Sequence, residues 1–87
     1  MKLSPLGANQ TEVHLGSGYV IFFSYETPVA ASTPSGYIRT SQRFSATTTR
    51  HINGWLSEVE AKEVPQETFD SITGIILDGL HAKYWKG

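Results

Sequence analysis

The sequence predicts an α+β fold, in which a small antiparallel sheet is followed by two short helices that pack on one of its faces. The first half alternates short aromatic and β-branched runs with glycine and proline turns, at Gly16-Ser17-Gly18 and Pro34-Ser35-Gly36. The second half places apolar residues three or four positions apart, which is the period of a helix. We therefore expect a loose N-terminal lead-in over residues 1–10, a sheet of about three strands over residues 11–45, and a single α+β domain over residues 11–87.

Short apolar runs supply the strands of the predicted sheet. Residues 11–15 alternate polar and apolar side chains, as a half-buried strand does. Residues 19–26 form the strongest candidate, and their nearly continuous apolar run predicts a strand that is covered on both faces. Thr27-Pro28 interrupts the ladder because proline has no backbone N–H to donate, and residues 29–33 resume the strand after this kink. Residues 37–44 then form the next antiparallel strand.

Residues 47–56 have two interpretations. Ile52, Trp55 and Leu56 follow the i, i+3, i+4 spacing of a short helix that begins at a threonine cap. Asn53-Gly54 is instead typical of a type I′ turn, which would make the same residues a hairpin. A glycine inside a helix costs about 1 kcal/mol, which favours the hairpin. We favour the helix because its apolar face has three members.

A second helix is predicted from Pro65 onward, because proline is well tolerated at the first helical position. Its buried stripe consists of residues three or four positions apart: Phe69, Ile72, Ile76 and Leu80. The predicted core of the domain consists of the large apolar residues on the inward faces of these elements: Val13, Leu15, Val20, Phe22, Ile38, Ile52, Trp55, Leu56, Phe69, Ile72 and Ile76.

Composition excludes several classes of function. The chain of 87 residues has no cysteine, which excludes disulfides, thiolate zinc sites and cysteine nucleophiles. Its net charge of −1 differs from the basic excess of proteins built around nucleic acid. We expect no signal peptide and no membrane-spanning segment, because the longest apolar runs are far shorter than about 18 residues. The charge is uneven, however, since three arginines and no acid lie between Glu26 and Glu58.

The middle of the chain resembles a family of short uncharacterised proteins from bacteriophages and prophages, over about residues 7–73. The segments that carry the resemblance are Phe23 to Ala30, Gly36-Tyr37, Arg39-Thr40-Ser41, Ser45 to Leu56 and Val64-Pro65-Gln66. The family supplies no activity. The resemblance implies a viral gene whose product acts in the cytoplasm of the infected bacterium.

The basic middle segment supplies the candidate binding residues, namely Tyr37, Arg39, Arg43, Arg50 and His51. On one alternating strand, the first three of these and Ser41 would share a face, and aromatic and cationic side chains on one face are typical of nucleic-acid contacts. His51 follows a run of threonines and Arg50, so that it could help to hold a phosphate at a helix N-terminus. The alternative is that this face is a solvated sheet surface and that His51 only completes local hydrogen bonds.

No motif for catalysis, a cofactor or a metal is evident, because the sequence contains no G-x-S-x-G, no complete phosphate loop and no histidine pair at ligand spacing. Ile75, Ile76, Tyr84 and Trp85 are candidates for self-association, or else they close the monomer's own core. We therefore expect a non-enzymatic binding module that acts on a host or viral protein, for example by blocking a host defence. The alternative is a weak nucleic-acid or nucleotide-binding protein that uses residues 37–51.

Overall fold

The computed structural model describes residues 2–15 and 18–71 and contains a six-stranded sheet. In chain order the elements are β1 (Lys2–Gly7), β2 (Gln10–Leu15), β3 (Tyr19–Ser24), β4 (Thr27–Thr33), β5 (Gly36–Thr40), α1 (Ala46–Leu56) and β6 (Ala61–Val64), and residues 66–71 are also helical and are called α2 here. The strands lie in the sheet in the order in which they occur in the chain. The first five are antiparallel, whereas β6 is parallel to β5 and is reached through α1.

The prediction of an antiparallel sheet of about three strands over residues 11–45 was therefore wrong, although the fold is broadly α+β. Four antiparallel strands occupy that range, and the sheet extends beyond it at both ends. Residues 2–7, which we expected to be part of a loose lead-in, form the edge strand β1, in which Pro5 lies opposite Thr11. Proline is tolerated on an edge strand because its missing N–H can lie on the unpaired side.

Pro28 does not end a strand either, because it lies at an irregularity in β4. A register shift between β3 and β4 leaves Val29 as an extra residue, so that Pro28 stands at a bulge, where prolines are accepted in sheets. On the other side of β4, pairing with β5 begins only at Ala30, so the backbone of Pro28 has no partner on β5. Its carbonyl oxygen instead accepts a hydrogen bond of 2.8 Å from Nε2 of Gln66 in α2.

The two helices cover opposite faces of the sheet, which corrects the prediction that both pack on one face. Ile52 and Leu56 of α1 pack on Phe22, whereas Phe69 of α2 packs on Ile21. Since successive residues of a strand point to opposite faces, these are two separate layers of core. The prediction that β3 is covered on both faces is confirmed.

The predicted core is confirmed for four residues, Phe22, Ile52, Leu56 and Phe69, which are buried. Val13, Leu15, Val20, Ile38 and Trp55 are half-buried. Ile72 and Ile76 lie outside the described residues. The prediction missed four buried residues, Ile21, Val29, Ala30 and Ala31, because it chose only alternate residues of β3 and none of β4.

The helical interpretation of residues 47–56 is confirmed, and Asn53-Gly54 lies inside α1 rather than in a hairpin turn. The cap is Ser45 and not a threonine: its Oγ accepts a hydrogen bond of 3.2 Å from the backbone N–H of Thr48. The helix ends at Leu56, and its C-cap Ser57 has the left-handed backbone conformation that commonly terminates helices.

Candidate functional site

A pocket of about 260 Å³ lies where β5 leads into α1. Its walls come from the end of β5, the connection over residues 41–45, the first two turns of α1 and the neighbouring strand β6. The lining residues are Arg39, Thr40, Ser41, Gln42, Arg43, Phe44, Thr49, Ile52 and Glu63. Apart from Phe44 and Ile52, all of them carry polar or charged side chains.

The parallel pairing of β5 and β6 determines where this pocket lies. Thr40 is paired with Val64, so both strands finish at the same edge of the sheet. In sheets with parallel strands, ligands bind beyond the carboxyl ends of the strands, next to the start of a connecting helix. Two hydrogen bonds hold the connection in place there, from the N–H of Ser41 to the oxygen of Val64 at 2.8 Å and from the N–H of Gln42 to Thr40 Oγ1 at 3.1 Å.

Two arginines and one glutamate line the pocket, so its charged groups have a positive excess. One Nη1–H of Arg39 donates a hydrogen bond to Asn53 Oδ1 at 3.2 Å, which positions the guanidinium against α1. A guanidinium has five N–H donors, so most of those on Arg39 remain for a ligand. Glu63 is the register partner of Arg39 on β6, and among the described residues the pair is not joined by an ion pair.

The start of α1 adds to this positive character. The first turn of the helix contains no acidic residue, so no carboxylate compensates the positive end of the helix dipole. Thr49 brings a hydroxyl from this turn into the pocket wall, where it donates to the carbonyl oxygen of Ser45 at 3.2 Å. Because that hydrogen is used within the helix, the groups that can donate to an anion in this pocket are the two guanidinium groups, together with the hydroxyls of Thr40 and Ser41.

The structure brings together only two of the five predicted binding residues, Arg39 and Arg43. Because β5 ends at Thr40, Arg43 belongs to the connection, and the expected alternation along one strand does not extend to it. Tyr37 lies outside the pocket, with its ring edge-on to Trp55 at a centroid distance of 6.1 Å. Arg50 is exposed on α1 and does not line the pocket.

His51 lies on the other flank of α1, at the end of β3. Its Nδ1 is 2.8 Å from Oγ of Ser24, and Ser24 Oγ donates in turn to Thr48 Oγ1 at 3.2 Å. The Ser24 hydroxyl therefore lies between two side chains of α1, those of Thr48 and His51. Ser24 is only 2% exposed, so this hydrogen-bonded chain joins α1 to β3 rather than presenting a nucleophile to solvent.

Sequence reasoning missed Glu63 as a pocket residue, whereas it expected Phe44 and the hydroxyls of residues 47–49 beside the basic segment. Phe44 was expected on the strand over residues 37–44, but it lies in the connection and is half-buried against the core beneath α1. Residues 58–64 read as a polar connection or a short strand, and nothing in that local pattern indicates pairing with β5. The self-association candidates Ile75, Ile76, Tyr84 and Trp85 lie outside the described residues.

Within the described ranges, 2–15 and 18–71, no group of three or more histidine, aspartate or glutamate side chains could hold a metal ion. No helix among these residues combines the length and the hydropathy needed to span a membrane.

Comparison with known proteins gives one family. Residues 1–71 match the model of a family of unknown function, DUF8033, whose description gives neither an activity nor a phage origin. No curated protein matches the chain, and no solved structure does.

Proposed function

We propose that this chain, which belongs to the DUF8033 family of unknown function, is a non-enzymatic binding module that holds a phosphate-bearing ligand in the pocket between α1 and the β5–β6 pair. The observation that carries the proposal is the convergence of Arg39 and Arg43 on this pocket, beside the start of α1. Arginine is suited to phosphate because its planar N–H groups match two oxygens at once.

The shape of the site favours a small ligand over a nucleic-acid strand. To bind a nucleic-acid strand, the protein would need a row of stacking and cationic side chains along an exposed groove. Arg39 and Arg43 instead line a compact, partly open pocket of about 260 Å³, close to the lower end of the range of about 300–1,000 Å³ for small-molecule sites. Tyr37, the aromatic residue nearest to Arg39 on β5, is turned edge-on to Trp55.

Binding rather than catalysis is favoured because the side chains that could act as nucleophile and base, Ser24 and His51, lie outside the pocket. The pocket supplies guanidinium groups, hydroxyls and one carboxylate, and neither Ser24 nor His51 lines it. Ser24 and His51 are at hydrogen-bond distance, but the hydroxyl of Ser24 is buried and bonded to Thr48. A nucleophile needs an accessible oxygen beside its base, which this pair does not offer.

The test is a titration of the full chain with inorganic phosphate, followed by two-dimensional NMR of the backbone amides. We expect shifts at residues 40–44 and in the first turn of α1. In Arg39→Ala/Arg43→Ala we expect binding at least about tenfold weaker, since a hydrogen bond to a charged group contributes about 1.5–3 kcal/mol.

Arg50→Ala is the control for the loss of a guanidinium group as such, because it removes one from the exposed side of α1, outside the pocket. Equal losses in Arg50→Ala and in the double variant would indicate non-specific attraction and would contradict the proposal. An absence of shifts at millimolar phosphate would contradict it directly.

Docking on a host or viral protein is the second candidate. It is favoured by Tyr25, which is 50% exposed on the two-residue turn between β3 and β4 and has a φ of 58°, a conformation that bulky residues rarely adopt. Its N–H donates to the oxygen of Asn9 at 2.7 Å, and its ring lies 5.9 Å from that of His51. Exposed tyrosines on a fixed backbone are typical of binding hot spots.

The resemblance to phage proteins supports a wider form of this second candidate, in which the chain acts in the cytoplasm of an infected bacterium. Native mass spectrometry of the tagged chain from nuclease-treated lysate tests it. A defined partner mass that Tyr25→Ala removes and Tyr37→Ala retains would support docking through this turn. A partner that both variants retain would place the contact elsewhere.

A further inference from the structure

Glu63 is not explained by a site for phosphate alone. Its side chain is exposed and lines a pocket whose other charged groups are Arg39 and Arg43. A carboxylate repels a phosphate anion, and a like charge in a small site lowers affinity. Arg39 is the register partner of Glu63, yet Nη1 of Arg39 donates its hydrogen bond to Asn53 and not to Glu63.

A carboxylate that is not engaged by a cation is an acceptor for hydroxyl or N–H groups. Dinucleotide-binding proteins illustrate the principle, since an acidic residue accepts the hydroxyl of a ribose while the phosphates are held at a helix start. Here the same two chemistries occur within one pocket: Arg39 and Arg43 supply guanidinium groups, and Glu63, the register partner of Arg39 on β6, supplies a carboxylate.

The size and the apolar part of the pocket agree with a ligand larger than phosphate. Inorganic phosphate would leave most of the 260 Å³ unfilled. Phe44 and Ile52 provide an apolar wall, and Phe44 is anchored on the core beneath α1. The carbon face of a sugar packs well on such a wall, while its hydroxyls reach a carboxylate.

We infer that the pocket takes a phosphorylated sugar, with the phosphate at Arg39 and Arg43 and a sugar hydroxyl donating to Glu63. This inference rests on the proposed function, since it names the ligand class of the same site. Its distinguishing consequence is that Glu63 contributes to binding of the phosphorylated sugar and not to binding of phosphate.

The experiment compares ribose 5-phosphate, ribose and inorganic phosphate by calorimetry and amide NMR on the full chain and on Glu63→Gln. We expect the chain to bind ribose 5-phosphate at least tenfold more tightly than phosphate. In Glu63→Gln we expect the affinity for ribose 5-phosphate to fall about five- to tenfold, whereas that for phosphate stays equal or rises because a negative charge has been removed. Glu60→Gln, which makes the same charge change at an exposed residue outside the pocket, is expected to leave both affinities unchanged.

The outcomes separate the two levels of the argument. If phosphate and ribose 5-phosphate bind equally, or if Glu63→Gln leaves their ratio unchanged, the sugar inference is wrong and the phosphate site stands. If neither compound binds, or if Arg39→Ala/Arg43→Ala binds both as the parent does, the proposed function is wrong and the inference fails with it.

Discussion

Replacing Gly54 with alanine is expected to stabilise the protein, because this glycine lies inside α1 at an exposed position. A Cβ built on Gly54 meets no atom within 4 Å, so the new methyl group fits without displacing a neighbour. The backbone of Gly54 does not have a positive φ, so alanine adopts the conformation without strain. Only the conformational entropy of the unfolded chain and the helix propensity then change.

The expected gain is about 0.5–1 kcal/mol, which is the difference between glycine and alanine in a helix interior. For a domain of this size, 1 kcal/mol corresponds to about 4–8 °C in Tm, so we expect a rise of about 2–8 °C. Thermal unfolding followed by far-ultraviolet circular dichroism measures it, and urea unfolding checks the free energy at constant temperature.

Gly36→Ala is the matched control, because a Cβ there also meets nothing within 4 Å while the backbone φ is +124°. We expect this variant to be destabilised by about 1 kcal/mol or more from backbone strain alone. The reasoning is refuted if Gly54→Ala is neutral or destabilising. A destabilised variant is also what a type I′ turn at Asn53-Gly54 would give, because both central residues of that turn need positive φ.

Two further substitutions test how the helices are attached to the sheet. Ser24→Ala removes the β3 hydroxyl that contacts Thr48 and His51 of α1. We expect the free energy of unfolding, measured with urea, to fall by about 1–2 kcal/mol, and to change hardly at all in the control Ser35→Ala, which is at an exposed position. Phe69→Ala empties a fully buried site between α2 and the sheet, and we expect a loss of about 3–5 kcal/mol, against less than about 0.5 kcal/mol for the exposed Val59→Ala. Equal effects in a variant and its control would contradict the assigned packing.

Local patterns predicted the parts of the fold that local physics determines. The run over residues 19–26 indicated a strand buried on both faces, and β3, which ends two residues earlier, has Ile21 in one core layer and Phe22 in the other. The i, i+3, i+4 spacing of Ile52, Trp55 and Leu56 outweighed the turn propensity of Asn53-Gly54, because three apolar contacts with the sheet outweigh one unfavourable glycine.

The edges of the sheet could not be predicted in this way. Pro28 was interpreted as an interruption, and Pro5 was placed in a loose lead-in, yet Pro5 lies on an edge strand and Pro28 at a bulge, the two places where a sheet accepts proline. Whether a proline ends a strand depends on whether an adjacent strand would pair with its backbone nitrogen, and this is known only once the sheet is assembled. Pairing of β6 with β5 is likewise a contact between residues that are far apart in the chain.

The pocket shows the same division between local and long-range information. Arg39 and Arg43 are four residues apart and were recognisable as a basic segment, whereas Glu63 joins them only because β6 pairs in parallel with β5 in one particular register. A slip of β6 by one residue would place Lys62 opposite Arg39 and would turn Glu63 to the other face of the sheet. The site would then have three cations and lose the carboxylate that we assign to the sugar. The chemical selectivity of this pocket is therefore determined by strand register, which a local sequence pattern does not contain.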